Sequence, residues 1–119
     1  MMILADAAAW RSWLDGHHDS MTEAWLVLAK KGTDDPTSLT YEQALQEALC
    51  YGWIDGLARR RDESTYCQRF SPRRRRSPWS QRNIARVERL RREGRMHRAG
   101  LAAFERAEAG GRFPTPLDG

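Results

Sequence analysis

The stretch "WIDGLARRRDESTYCQRF" (residues 53–70) decides the fold predicted for this chain of 119 residues. Two arms of strand-like composition flank a polar turn at 62–63, which is the pattern of a β-hairpin. Because successive side chains of a strand point to opposite faces, Phe70 and Arg69 lie on different faces of the second arm. Gly56, inside the first arm, predicts a β-bulge or a close approach of the backbone.

Four helices and one further strand are predicted around this hairpin. Apolar periodicity and helix-end signals place, in chain order, a helix over about 6–16, a strand over 23–32, a helix over 40–52, a helix starting at 77–78 and a last helix over about 97–109. Asp6 can cap the first helix, Thr40 and Gln43 have the spacing of a capping box, and Ser77 followed by Pro78 is typical of a helix start. The order α-β-α-β-β-α-α predicts an α+β fold, with about four helices packed on a small sheet of about three strands.

Length and composition indicate one domain. The chain is 40% hydrophobic and contains five tryptophans, which suffices for one modest core. We expect a single domain over 1–110 and a flexible, Pro-rich tail over 111–119. No apolar run reaches the roughly 20 residues of a membrane span. The first residues lack the basic and long apolar segments of a secretory signal. These features predict a cytoplasmic protein.

Cysteine and histidine positions give no sign of a metal site. Cys50 and Cys67 stand apart, without a C-x-x-C pair, so they are either two free thiols, as a reducing cytosol favours, or one disulfide. His17, His18 and His97 do not combine with either cysteine in a ligand spacing. The sequence therefore predicts no metal and no cofactor.

Charge divides the chain into an acidic and a basic half. Residues 1–52 contain three basic and eight acidic residues, a net of −5, and residues 53–119 contain seventeen basic and eight acidic residues, a net of +9. A GC-rich genome would explain why these seventeen are all arginine, but not why they gather in one half. Such an asymmetry can attract phosphates or acidic partners.

The most basic segment is "RFSPRRRRSPWS" (residues 69–80), with five arginines in twelve positions. Guanidinium forks bind two oxygens of a phosphate or carboxylate at once, and the helix start after the run also favours an anion. We predict a groove where Arg69 and Arg73 meet Trp79 and Ser80. The alternative is structural: an Arg-rich loop in water, and tryptophans in the core.

Asp55 is a carboxylate within the apolar arm "GWIDGL". A buried aspartate needs a partner, and Arg69 or Arg73 on the returning strand could supply one. The structural interpretation is an ion pair that fixes the hairpin. The functional interpretation is a carboxylate that orients an arginine of a binding pocket.

Three blocks of sequence resemble the YdeI/OmpD-associated family, whose members are often labelled bacteriocin-protection proteins. The blocks are "EALCYGWIDG" (47–56), "QRFSPRRRRSPWSQRNIARVERLRREGRM" (68–96) and "AGLAAFERA" (99–107), and the resemblance covers roughly residues 21–108. It implies a small binding module in stress or antimicrobial-peptide resistance, and it supplies no catalytic residues. Relatives commonly continue into a further basic helical segment that this chain lacks. Arg74, Arg75 and Arg76 fall in the variable gap of the family pattern, which assigns them to solvated charge.

The leading functional hypothesis is therefore a non-catalytic module that binds an anionic small molecule or an acidic protein through an Arg/Trp groove. Non-specific association with nucleic acid is the first alternative, and an uncharacterised enzyme is the second. No phosphate-binding glycine loop, nucleophile motif or recognition helix is present to favour either alternative. The predicted ligand-binding residues are Trp53, Asp55, Arg69, Phe70, Arg73, Trp79, Ser80 and Asn83.

Overall fold

A computed structural model describes residues 1–114 as four helices and a three-stranded antiparallel sheet. The elements are α1 (Ala7–His17), β1 (Ala24–Ala29), α2 (Tyr41–Cys50), β2 (Trp53–Arg60), β3 (Thr65–Pro72), α3 (Gln81–Arg92) and α4 (Arg98–Ala109). This order confirms the predicted α+β fold. Of the tail predicted as flexible, residues 115–119 lie outside the described residues, whereas Phe113 packs against the core.

The hairpin forms two thirds of the sheet, whose strand order is β1-β3-β2. The register of β2 against β3 shifts between Asp55 and Ala58, which confirms the bulge predicted at Gly56. The side-chain amide of Gln68 donates to the carbonyl oxygen of Gly56 over 2.6 Å and so satisfies the backbone there. A Cβ on Gly56 would lie 3.5 Å from the guanidinium of Arg69, an ordinary van der Waals distance, so the glycine marks the bulge and not a close approach.

Helix starts follow the local signals at two of the predicted positions. Asp6 caps α1 by accepting from the backbone N–H of Ala9 over 2.9 Å. At α2, the Thr40 side chain accepts from the Gln43 N–H, and the Gln43 side chain accepts in return from the Thr40 N–H. Each cap satisfies amides that have no partner inside the helix. Both caps confirm the sequence prediction.

The predicted start of α3 is wrong by three residues, because Ser80 rather than Ser77 is the N-cap. The hydroxyl of Ser80 accepts from the N–H of the third helical residue over 3.1 Å. Pro78 and Trp79 precede the helix, since the Trp79 indole is buried in the core and its backbone N–H donates to a carbonyl beyond α4. Tertiary contacts of Trp79 thus delay the helix that Ser77-Pro78 alone would begin.

The core lies between the helices and one face of the sheet. Leu26, Leu28 and Phe70 join it from the strands and are completely buried. Cys67, on the opposite face, is also buried, and its sulfur lies 3.2 Å from that of Met1. Cys50 and Cys67 are both free thiols. None of the helices within residues 1–114 combines the length and the apolar character needed to cross a lipid bilayer.

Candidate functional site

Arginines gather around a cavity of about 560 Å³ between the segment 73–79 and the C-terminal half of α4. The volume falls within the range of roughly 300–1,000 Å³ that is usual for small-molecule sites. Its lining consists of arginines, one tryptophan and small residues: Arg73, Arg74, Arg75, Arg76, Trp79, Ala103, Arg106, Ala107, Ala109, Gly110 and Arg112. We call this space the arginine cavity.

The end of α4 gives the arginine cavity its floor. Alanines and a glycine leave room beside the helix, while Arg106 and Arg112 extend from it as exposed side chains. Gly111 adopts φ +72°, a left-handed conformation that suits glycine and turns the chain away from the helix. The Arg112 N–H then donates to the Ala107 carbonyl over 2.9 Å. This local helix ending brings Arg112 back beside Arg106.

Trp79 joins the two sides of the arginine cavity, which are the segment 73–79 and the end of α4. Its backbone N–H donates to the Arg112 carbonyl over 3.1 Å. Its indole, only 5% exposed, meets Phe104 edge-on at 5.4 Å and contacts Phe113 at 5.9 Å between ring centroids. Such aromatic pairs add stabilisation beyond the area that they bury. The segment 73–79 is therefore held against α4 through Trp79.

Arg73 has a fixed position in this wall. Its guanidinium lies 4.0 Å from the centroid of the Trp79 ring, and its Nη2 donates to the Pro78 carbonyl over 2.7 Å. Burial lowers the pKa of Arg73 from its ordinary value, and the carboxylate of Asp55 offsets part of that effect. Arginine titrates so far above neutrality that the group remains charged. Arg73 thus presents a cation in a defined orientation.

The described lining of the arginine cavity contains no negative side chain. Within residues 1–114, none of its six arginines forms an ion pair, whereas six arginines elsewhere do: Arg11, Arg61, Arg69, Arg86, Arg89 and Arg95. Like charges at one place raise the local positive potential. The arrangement can attract and hold an anion.

The structure brings Arg73 and Trp79 together, as predicted, but it places Arg69 elsewhere. The Nε of Arg69 donates to the Glu23 carboxylate over 2.6 Å, on the edge of β1. Arg69 and Phe70 are neighbours on β3 and face opposite sides, so the Arg69 side chain points away from the core face. The predicted convergence of Arg69 and Arg73 on one groove does not occur.

The predicted ion pair of Asp55 is also wrong, because its partner is Tyr41. The Tyr41 hydroxyl donates to Asp55 Oδ2 over 2.7 Å. Burial, and then this hydrogen bond, raise the pKa of Tyr41 well above its ordinary value. Asp55 pairs with Phe70 across the hairpin and therefore shares its face, which Arg69 does not. Arg73, for its part, is held over Trp79.

The remaining predicted site residues have structural roles instead. Trp53 and Phe70 are buried in the core, and the Trp53 indole N–H donates to the His18 carbonyl over 3.2 Å. Ser80 caps α3, and the Asn83 side chain accepts from Arg86 over 3.0 Å. None of these four lines the arginine cavity.

Sequence reasoning missed most of the arginines of the cavity. Arg74, Arg75 and Arg76 were assigned to solvated charge, which agrees with their exposure, although they also line the cavity. Arg106 and Arg112 were not considered. One signal could have found the last two: they flank the Gly110-Gly111 pair that ends an alanine-rich helix. The contact of that helix end with the segment 73–79 depends on tertiary packing, which local patterns do not report.

A second polar cluster ties α1, α2 and the loop between α3 and α4 together. Glu47 is only 7% exposed and accepts from Arg11 over 2.9 Å and from Arg95 over 2.7 Å. Nearby, Tyr51 donates to Asp15 over 2.9 Å, and burial with this bond raises the pKa of Tyr51 to about 12. These groups satisfy one another, so the cluster is structural.

No group of three or more His, Cys, Asp or Glu side chains within residues 1–114 is arranged to hold a metal ion. The lining of the arginine cavity likewise offers no metal-ligating side chain, since guanidiniums have no free acceptor.

An α+β domain with an arginine-lined cavity is thus the class that fold and site define. The model of the family named Domain of unknown function (DUF8412) matches residues 2–103, and the chain belongs to this family. The match ends before Arg106 and Arg112, so it includes four of the six cavity arginines. No curated protein matches the chain. No solved structure matches it either.

Proposed function

We propose that the protein is a non-catalytic binding module that holds an anionic ligand in the arginine cavity. One observation carries this proposal: six arginines line one cavity, without an acidic neighbour among the described lining residues and without an ion pair in the described chain. Charged guanidiniums satisfy their donors best with phosphate or carboxylate oxygens. A bound anion would also relieve their mutual repulsion.

The same lining argues for binding rather than catalysis. Its described members are arginines, a tryptophan, alanines and a glycine. A guanidinium does not titrate near neutral pH, and none of the other groups is an acid, a base or a nucleophile. The cavity can therefore orient and neutralise an anion, but it offers no group to transfer a proton or to form a covalent intermediate.

The resemblance to YdeI/OmpD-associated proteins adds a proposed context. Blocks shared with that family include Arg73 and Trp79, which form the fixed wall of the arginine cavity. On this resemblance we propose a role in stress or antimicrobial-peptide resistance, in the cytoplasm. The ligand would then be an anionic molecule or an acidic partner that takes part in that response.

Calorimetric titration with inorganic pyrophosphate tests the proposal. The cavity variant is the double substitution Arg106→Gln and Arg112→Gln, and its matched control is Arg60→Gln with Arg91→Gln. Both remove two exposed cations, and Arg60 and Arg91 do not line the cavity. A charge-assisted hydrogen bond contributes about 1.5–3 kcal/mol. We therefore expect the cavity variant to bind at least about tenfold more weakly, and the control to bind like the parent protein.

Two results would contradict the proposal. An equal loss of affinity in both double variants would mean that pyrophosphate binding depends on the net charge of the protein and not on the cavity. Absence of any binding by the parent protein at ~50 mM salt would mean that the cavity does not hold phosphate-type anions.

Non-specific association with nucleic acid is a second candidate, and the spread of the arginines favours it. Exposed arginines occur not only at the arginine cavity but also on the hairpin at 59–61 and on α3. A mobility shift with duplex and single-stranded DNA at ~50 mM salt tests it, with affinity expected to fall by a log–log slope of about −0.9 per duplex phosphate contacted. No shift under these conditions would remove this candidate.

A further inference from the structure

We infer that the ligand of the arginine cavity is a compact anion with several phosphate groups and without an aromatic ring that needs stacking, as in a condensed phosphate. This inference rests on the proposed function and narrows it to a class of ligand. Three features of the cavity lead to it: the number of its cations, the covered ring of its tryptophan, and a described lining without amide, carboxylate or hydroxyl side chains.

The number of cations exceeds what one phosphate needs. A guanidinium fork engages two oxygens at once, so about two arginines can contact all four oxygens of an orthophosphate. The arginine cavity offers six, none of them ion-paired within residues 1–114. A single phosphate would leave most of these charges uncompensated and crowded. A ligand with several adjoining phosphates would engage them together.

The tryptophan of the arginine cavity is not free to stack on a ligand. Arg73 lies over its ring at 4.0 Å, Phe104 meets it edge-on, and only 5% of Trp79 is exposed. Stacking on an exposed aromatic ring is what usually holds a nucleobase, at about 1–3 kcal/mol per base. A base in this cavity would gain no such contact.

Apart from its arginines, which can bind a guanine edge, the described lining has no side chain that identifies a base. Amide, carboxylate and hydroxyl groups hydrogen-bond to base edges, and the described lining contains none of them. The alanine side chains at the end of α4 leave space but offer no polar group. Recognition in this cavity therefore depends mainly on the charge of the ligand and on how closely its charged groups adjoin one another.

The end of α4 does not prevent such a ligand from binding. A helix C-terminus carries partial negative charge on its last carbonyls, which repels an anion. Here the carbonyls of Arg106, Ala107 and Glu108 each accept an N–H from the turn at 110–112. Arg106 and Arg112 also lie at this end and compensate the remaining partial charge.

Three ligands at the same salt concentration and pH test the inference by calorimetry: orthophosphate, inorganic tripolyphosphate and ATP. Orthophosphate gives the affinity of the cavity for a single phosphate group. ATP has the same three phosphates as tripolyphosphate and adds a ribose and a base. We expect tripolyphosphate to bind at least about tenfold more tightly than orthophosphate, as one additional charge-assisted contact suffices to produce. We expect ATP to bind no more tightly than tripolyphosphate.

The arginine variants show whether the preference arises in the cavity. Arg106→Gln with Arg112→Gln should weaken the binding of tripolyphosphate more than the binding of orthophosphate, because the larger anion reaches more arginines. The control pair Arg60→Gln and Arg91→Gln should leave the ratio of the two affinities unchanged.

The possible failures are distinct. Equal affinity for orthophosphate and tripolyphosphate overturns the inference and leaves anion binding intact. ATP at least tenfold tighter than tripolyphosphate also overturns it, since a ring would then be recognised, and so does a DNA oligonucleotide that binds more tightly than tripolyphosphate. Absence of binding by all three phosphate ligands overturns the proposed function itself.

Discussion

The guanidinium of Arg73 stacks on the indole of Trp79, 4.0 Å from its centroid, and is fixed there by a hydrogen bond to the Pro78 carbonyl. The stack covers a tryptophan whose other contacts hold the segment 73–79 against α4. One side chain thus stabilises the wall of the arginine cavity and also contributes a charge to it.

Replacing Arg73 by lysine should separate these two roles. Lysine keeps the charge and loses the planar stack and the two-oxygen fork. We expect Arg73→Lys to lower the free energy of unfolding by about 0.5–1 kcal/mol, as for a lost cation–π contact. Pyrophosphate affinity should fall by about tenfold, the worth of one charge-assisted hydrogen bond. Urea unfolding and calorimetry measure the two effects, and unchanged affinity would show that Arg73 does not contact the ligand.

Gly100 allows α4 to approach the end of α2 more closely than any other residue would. A Cβ at this position would lie 2.6 Å from the carbonyl carbon of Cys50 and 2.7 Å from the carbonyl oxygen of Leu49. Both are backbone atoms, so relief requires the two helices to separate. We expect Gly100→Ala to lower the free energy of unfolding by about 3 kcal/mol, the upper part of the range for overpacking.

Gly16 provides the matched control for this substitution. It lies in α1, and an added Cβ would meet nothing within 4 Å. Since alanine is favoured over glycine inside a helix, Gly16→Ala should raise stability by about 0.5–1 kcal/mol. The same chemical change is thus expected to have opposite signs at the two sites. Equal effects in thermal unfolding would contradict the close contact at Gly100.

His97 makes the start of α4 sensitive to pH. The N–H of Ala99 donates to His97 Nδ1 over 3.0 Å, and an amide can only donate, so this nitrogen must be unprotonated. Burial, and then the neighbouring His18, lower the pKa of His97 from its ordinary value. The charged groups Arg11 and Arg98 act in the same direction, while Asp15 opposes them.

The sign of the pH effect follows from this lowered pKa. Above the unfolded value of about 6.5, His97 is neutral in both states and its contribution is complete. As the pH falls below 6.5, the unfolded chain takes up the proton first and the contribution is lost. We expect thermal stability to fall between pH 7.5 and 5.5 by up to about 1 kcal/mol from this cap. His97→Asn, which caps without titrating, should show a smaller decline, and an identical decline would contradict the role of His97.

Glu47 is the centre of the cluster that ties α1 and the loop between α3 and α4 to α2. Removing its charge leaves Arg11 and Arg95 without their shared carboxylate. These arginines are 34% and 36% exposed, so water compensates part of the loss. We therefore expect Glu47→Gln to lower the free energy of unfolding by about 1–2 kcal/mol, which is less than the loss on breaking a fully buried ion pair. Exposed Glu88, on α3, is the control, with Glu88→Gln expected within about 0.5 kcal/mol of the parent. Equal urea midpoints for both variants would contradict the role of Glu47.

Local chemistry was enough to predict most of the fold. The alternation of Phe70 and Arg69 reports the two faces of β3, and Gly56 marks the bulge, because both signals depend on neighbours in sequence. The caps at Asp6 and Thr40 are equally local. The start of α3 was misplaced because Trp79 takes part in distant contacts that override the Ser77 signal.

The candidate site was less predictable, because an arginine can bind any carboxylate that the fold brings near it. Nothing near Arg69 in sequence shows that Glu23 lies beside it across the sheet. Nothing near Asp55 identifies Tyr41 as its partner. The sequence showed that cations gather in one half of the chain, and only the packing of α4 decides which of them share a cavity.

The distribution of the tryptophans has a practical consequence for spectroscopy. Trp10, Trp13 and Trp53 contact one another at centroid distances of 5.4–6.4 Å. Trp79 contacts none of them and lies under Arg73 instead. Coupled indoles dominate near-ultraviolet circular dichroism, so that signal would report melting of the core, whereas selective isotope labelling of Trp79 would give one indole resonance for events at the cavity. Circular dichroism would thus report loss of the fold, and the Trp79 resonance would report ligand binding in the cavity.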